Sequence, residues 1–227
     1  MAKDITPIDV TLEIGHTRTF ASALDWPGWS RSGRDEASAL RAIFDYAPRY
    51  ARAIQDARLN FRLPDSPSDL LVVERLPGNA TTDYGAPGIP PSQDSEPVDP
   101  GALQRMQILL QACWQTFDAA AGSAAGRELR KGPRGGGRYL ESIVRHVNDA
   151  ELAYLSALGG KWKPSDGNNP AQAQLRQAIL AALASSVRSE IPARGPRGGL
   201  RWTPRYFVRR TVWHALDHAW EIEDRVA

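Results

Sequence analysis

Two hydrophobic spacings divide the chain. Residues 8–14 alternate apolar and polar, and residues 18–24 do so more loosely. This predicts two half-buried strands with a turn near Gly15 and His16. Pro27 and Gly28 mark a further turn, after which residues 29–32 are long enough for a short third strand. A helix is expected from Asp35 and Glu36, with Ala37, Leu40, Ile43, Phe44 and Tyr46 at helical spacing and Pro48 ending or kinking it. Residues 70–76 are the next strand. From 77 to 100 the chain is rich in Pro and Gly mixed with Ser, Asp and Thr. That composition predicts a linker or extended arm rather than packed secondary structure, with Tyr84 and Ile89 as candidate anchors.

Beyond residue 98 the spacing is helical throughout. Asp99 followed by Pro100 is an N-cap with proline at the first helical position. That helix carries Leu103, Met106, Leu110, Cys113 and Phe117 and is expected to stop near Gly122. A second follows Gly135–Gly137 and stops at Gly159. A third starts at Asn169 and Pro170 and passes through Leu175, Ile179 and Leu183. A fourth starts at Thr203 and Pro204 and runs to the end. Four long amphipathic helices predict a four-helix bundle. The expected architecture is therefore two-domain α+β: a small β-β-(β)-α-β module over 1–77, a linker over 78–98, and a bundle over 99–227.

Composition narrows the partners. The 227 residues are 42% hydrophobic and 24% charged, as in ordinary globular proteins. No apolar run is long enough to span a bilayer, and no signal segment opens the chain, so a cytoplasmic protein without membrane contact is expected. A single cysteine excludes a disulfide framework and a thiolate cluster. Residues 1–100 hold 10 basic and 15 acidic side chains, whereas 101–227 hold 18 and 11. The second half is basic enough to attract a small anion, yet too weakly so to make nucleic acid the leading partner.

The candidate chemistry lies in the histidines, of which there are four. His214 and His218, at i and i+4, share one face of the fourth bundle helix with Phe207, Thr211 and Ile222. His146 shares a face of the second with Ile143, Ala150 and Ala153. Three neutral imidazoles with an open position form the ligand set of a catalytic Zn²⁺ site, and Ni²⁺ or Fe²⁺ suits them too. Asp149, Asp217 and Glu221 each follow a histidine by three residues and could fix its tautomer. That reach is awkward for a direct bond, so they are expected to act across helices. Asp149, Glu151 and Glu221 are the candidate proton carriers, and Tyr139 is a candidate substrate donor. Cys113, among apolar neighbours, reads as a core residue.

Residues 99–227 resemble the DinB superfamily of metal-binding four-helix bundles. The resemblance rests on His146 to Glu151 (H-V-N-D-A-E) and Trp213 to Glu221 (W-H-A-L-D-H-A-W-E). It implies His146, His214 and His218 as ligands of a divalent metal. It also implies thiol-dependent S-transfer, with a low-molecular-weight thiol as cosubstrate, or hydrolysis. Residues 6–77 resemble HicB-like α+β modules, through Phe20 to Trp29, then Ser32 and Gly33, then Asp35 to Ala37 opening the helix. That implies a docking or dimerisation unit. The antitoxin role common in that family needs a DNA-binding segment, and no helix-turn-helix pattern is present.

Two near-copies, residues 132–139 (G-P-R-G-G-G-R-Y) and 195–202 (G-P-R-G-G-L-R-W), each precede a histidine-bearing helix. Glycine-rich backbone at a helix start favours anions. Arg134, Arg138, Arg197 and Arg201 are the candidate cofactor- or substrate-binding cations. If both helices start at one end of the bundle, the loops flank a single mouth. The leading expectation is a metal-dependent transferase or hydrolase acting on a small, acidic molecule. The alternative is a non-enzymatic metal-containing binding protein whose HicB-like module docks a protein partner.

Overall fold

The computed structural model describes residues 7–131, 139–163 and 171–227. It is α+β, and the chain divides into two compact units, Met1–Glu96 and Pro97–Ala227. Among the described residues, no helix is long and apolar enough to cross a membrane.

The first unit holds strands β1 (Ile8–Ile14), β2 (Thr19–Ala23), β3 (Ser30–Gly33) and β4 (Leu70–Pro77), in the sheet order β3-β2-β1-β4. β2 is antiparallel to both neighbours, and β4 joins β1 in parallel. A parallel neighbour needs a crossover, and helix α1 (Glu36–Ala53) supplies it. Register places Val10 opposite Ala23 and Leu12 opposite Ala21. This apolar face lies against the buried Ala39, Ile43, Ala47 and Tyr50 of α1. The Asp35 carboxylate accepts the Ser38 N–H and caps the helix. Contrary to the sequence expectation, Pro48 does not end α1, which continues to Ala53. Ala47 and Tyr50 are buried on either side of it, and the Tyr50 hydroxyl donates to the Pro27 carbonyl at 3.0 Å, so packing outweighs the ~3 kcal/mol cost of an interior proline.

The opposite sheet face is polar, with Thr11, Glu13, Ser22 and Ser30 all buried. Its cover corrects the reading of residues 78–98 as an unpacked linker. Here the chain forms the short helix α2 (Ala80–Tyr84) and a 3-10 turn at Ser92–Ser95. The Glu13 carboxylate accepts the Thr82 hydroxyl at 2.5 Å, the Gly88 N–H at 2.9 Å and the Ile89 N–H at 3.0 Å. Ser92 N–H donates to Glu74. A buried carboxylate needs donors, and this Pro/Gly-rich segment provides them from backbone. Tyr84 anchors nothing, being 94% exposed.

The second unit holds four helices, α3 (Pro100–Ala124), α4 (Leu140–Leu158), α5 (Ala171–Val187) and α6 (Pro204–Arg225). Asp99 and Thr203 cap α3 and α6 ahead of their prolines, while the expected start of α5 at Asn169 and Pro170 lies outside the described residues. Cys113 is fully buried, and burial pushes its thiol pKa up. Helix directions follow from cross-links. Arg205 at the start of α6 donates to the Pro97 carbonyl before α3, and Arg130 N–H after α3 donates to the Arg225 carbonyl at the end of α6. These two helices are therefore parallel. Trp202 N–H, before α6, donates to the Ala157 carbonyl at the end of α4, so α4 runs against α6. Glu151 meets Arg176, and Gly160 packs against Ala182, so α5 runs with α4. The order is up, down, down, up.

Candidate metal centre

Antiparallel α4 and α6 bring the three histidines together. Their ligating nitrogens all lie within 4.8 Å of one another. His146 Nε2 and His214 Nε2 are 3.2 Å apart. Two nitrogens on one tetrahedral Zn²⁺, with ~2.05 Å bonds, stand ~3.3 Å apart, so this pair already has the spacing of two ligands on one ion. The ring centroids of His146 and His218 are 4.9 Å apart, and those of His214 and His218 4.6 Å. His214 is buried, while His146 and His218 keep partial exposure.

Tautomers follow from the neighbours. His218 Nδ1 lies 2.8 Å from Glu221 Oε2. The bond with His218 lowers the Glu221 carboxyl pKa most, against the effect of burial, and Arg225 adds to the lowering. An ionised carboxylate can only accept, so Nδ1 carries the hydrogen, and in the neutral ring Nε2 keeps its lone pair. Arg225, itself buried, donates to Glu221 Oε1 at 2.5 Å and to the Arg130 carbonyl at 2.9 Å. Glu221 is thus an orienting carboxylate. The direct i, i+3 bond corrects the expectation that it would act across helices.

The other candidates disperse. Glu151 follows His146 by five residues and is turned about 140° from it around α4. It faces α3 and α5, with Oε2 3.5 Å from Arg176 Nε. Arg176 makes its shorter contact with Asp118, at 2.6 Å, and lies 5.2 Å from the Trp114 ring centre. Burial without a hydrogen bond to either oxygen raises the Glu151 pKa to about 7, although Arg176 opposes the shift. Asp149 is exposed and lines a groove with Leu152, Ser156 and Trp162. Tyr139 is 81% exposed at the start of α4.

The condition set for a shared basic mouth, that both histidine-bearing helices start at one end, is not met. α4 begins at the end where α6 finishes, so the two histidine-bearing helices start at opposite ends. Arg134 and Arg138 lie outside the described residues. In the second loop, Gly195 N–H donates to Gly199 and Gly198 N–H to Gly195, so these donors close a turn. Arg201 donates to the Pro192 carbonyl at 2.9 Å and packs against Gly159 at the end of α4. Arg197 is exposed.

Sequence reasoning missed what adjoins the cluster. Tyr154 on α4 has its ring centre 5.8 Å from that of His214. Its hydroxyl lies 3.4 Å from Arg210 NH2, and Trp202 packs on its ring at 5.1 Å. The signal was present: Tyr206, Arg210, His214 and His218 recur every four residues along one stripe of α6, with Trp202 four residues ahead of them. No protein-family model matches the chain, and no curated protein or solved structure matches it either.

Proposed function

We propose that the second unit is a divalent-metal-dependent enzyme, with His146, His214 and His218 as the ligands and a small acidic molecule as substrate. The observation that carries this reading is the convergence of three imidazole nitrogens, with the His218 tautomer fixed by Glu221. Three imidazoles, one of them held by a carboxylate, suit Zn²⁺ or Ni²⁺, with Fe²⁺ a third fit. Such an ion, when bound, supplies Lewis acidity that lowers the pKa of a water or a thiol. The chain's own part is to hold the ligands. Glu221 keeps His218 Nε2 turned inward, Arg225 holds Glu221, and the Arg130 carbonyl holds Arg225. The DinB resemblance of residues 99–227 narrows the reaction to thiol-dependent S-transfer or hydrolysis. The HicB-like resemblance gives the first unit a docking role.

Metal analysis tests the ligand assignment. After supplementation with Zn²⁺ or Ni²⁺ and removal of excess, the wild type is expected to retain about one ion per chain. A His214→Ala/His218→Ala variant is expected to retain none. A wild type without stoichiometric metal, or a double variant that loads equally well, overturns the assignment.

A further inference from the structure

We infer that helix α5 is docked through a proton: it stays on α3 and α4 while Glu151 is protonated, and loss of that proton to solvent lets α5 open locally, ahead of the rest of the second unit. The inference is independent of the metal-site reading, since it concerns the face of α4 turned away from the histidines.

The geometry supplies one guanidinium for two carboxyl groups. Arg176 reaches in from α5 and lies 2.6 Å from Asp118 Oδ2 on α3, but its Nε is 3.5 Å from Glu151 Oε2 on α4. Charge-assisted N–H···O bonds run at about 2.7–2.9 Å, so the contact with Glu151 is a loose one. The closer contact goes to the half-exposed Asp118, whereas Glu151 is 1% exposed. Neither Glu151 oxygen accepts a hydrogen bond from a described residue. Arg176 Nε and Nη2 and the indole N–H of Trp114, on whose ring the guanidinium lies, are buried in the same condition. Among the described residues, the charges that act on Glu151 come from Arg176 on α5 and Asp118 on α3, and Asp118 opposes ionisation. A proton on Glu151 therefore neutralises what the guanidinium leaves uncompensated. Burial accordingly pushes the Glu151 pKa up to about 7.

Of the four helices, α5 is the one built to yield. Three of its seventeen residues are buried, Leu175, Ile179 and Leu183, against twelve of twenty-two in α6. Local opening draws on segments with few buried apolar contacts. Lifting α5 returns Glu151 and Arg176 to water and restores the ordinary carboxyl pKa, so opening and proton release are linked. The support this gives to closure is complete below pH ~4.5 and is lost as pH rises through ~7.

Hydrogen exchange read by mass spectrometry on the full chain tests this, with rates corrected for their intrinsic pH dependence. Peptides from α5 are expected to exchange faster than those from α3 and α6 at every pH, which marks opening by α5 alone. Their protection is expected to fall about tenfold between pH 6 and pH 8. In Glu151→Gln, which is neutral throughout, α5 protection is expected to be the same at both pH values. Asp118→Asn, at a half-exposed position, serves if Glu151→Gln fails to fold: it frees Arg176 for Glu151 and is expected to shrink the fall to about twofold. Protection of α5 equal to that of α3 and α6, no change with pH in the wild type, or an undiminished fall in either variant overturns the inference.

Discussion

Helix α4 carries polar groups into the second unit on two faces, and the two clusters differ in kind. On one face, Glu151 meets Arg176 and through it Asp118, opposite charges drawn together although no hydrogen bond reaches either Glu151 oxygen. On the other, His146 meets His214 and His218, three side chains of one type whose ring nitrogens lie within 4.8 Å of one another. The Glu221 carboxylate lies 2.8 Å from His218 Nδ1. Burial alone therefore does not mark a functional site. Side chains of one ligating type brought within reach of one ion are the better mark.

The strongest way to break the comparison is to remove Arg176. At pH 8, where Glu151 is ionised, Arg176→Met leaves that carboxylate buried without its counter-charge. A loss of about 3–5 kcal/mol in urea unfolding is expected. Adding Glu151→Leu to the same protein should return most of that loss, and zinc retention should be unchanged in both. A loss below about 1 kcal/mol would show that the pair does not hold α4 to α5.

The next effect is smaller and has a definite sign. Burial raises the Glu151 pKa from 4.5 to about 7 in the folded chain, so the neutral form is the one favoured by folding. Its contribution is fully present below pH ~4.5 and is lost as pH rises through ~7. The shift corresponds to about 3 kcal/mol, and Glu151→Gln should remove this part of the pH dependence. A variant whose stability falls between pH 5 and 8 as steeply as the wild type would refute the assignment.

Legibility in the sequence followed the range of the interactions. Strands from period-two alternation, helix starts from Asp99 with Pro100 and Thr203 with Pro204, and the His214/His218 pair are local signals, and each element stands where that pattern put it. The packing of residues 78–95 was not legible because its cause is Glu13, some seventy residues away in sequence. Nor was the antiparallel run of α4 and α6, which puts the starts of the two histidine-bearing helices at opposite ends. Helical periodicity gives the face of a residue but not the direction of its helix. It placed His146 on an inward face, but could not show whether Glu151 would meet an imidazole or an arginine. The spacing of Arg210 and His214 was readable, whereas the contact of both with Tyr154 on another helix was not.

The smallest predicted effect separates a metal ligand shell from an ordinary surface ion pair. Glu221 bonds His218 at 2.8 Å and Arg225 at 2.5 Å, and its side chain is 31% exposed. If the contact is only a helix-surface pair, Glu221→Gln should change stability by under ~1 kcal/mol and do nothing else. If it fixes the tautomer of a ligand, the same change should weaken zinc binding about 10–100-fold, since the amide no longer requires Nδ1 to carry the hydrogen. Competition with a chromophoric chelator measures the affinity, and metal-free unfolding measures the stability. Glu221→Asp shortens the reach from i+3 and is expected to resemble the Gln variant in affinity. Equal zinc affinity in all three proteins would reduce Glu221 to a helix charge and leave the histidines to be judged on their convergence alone.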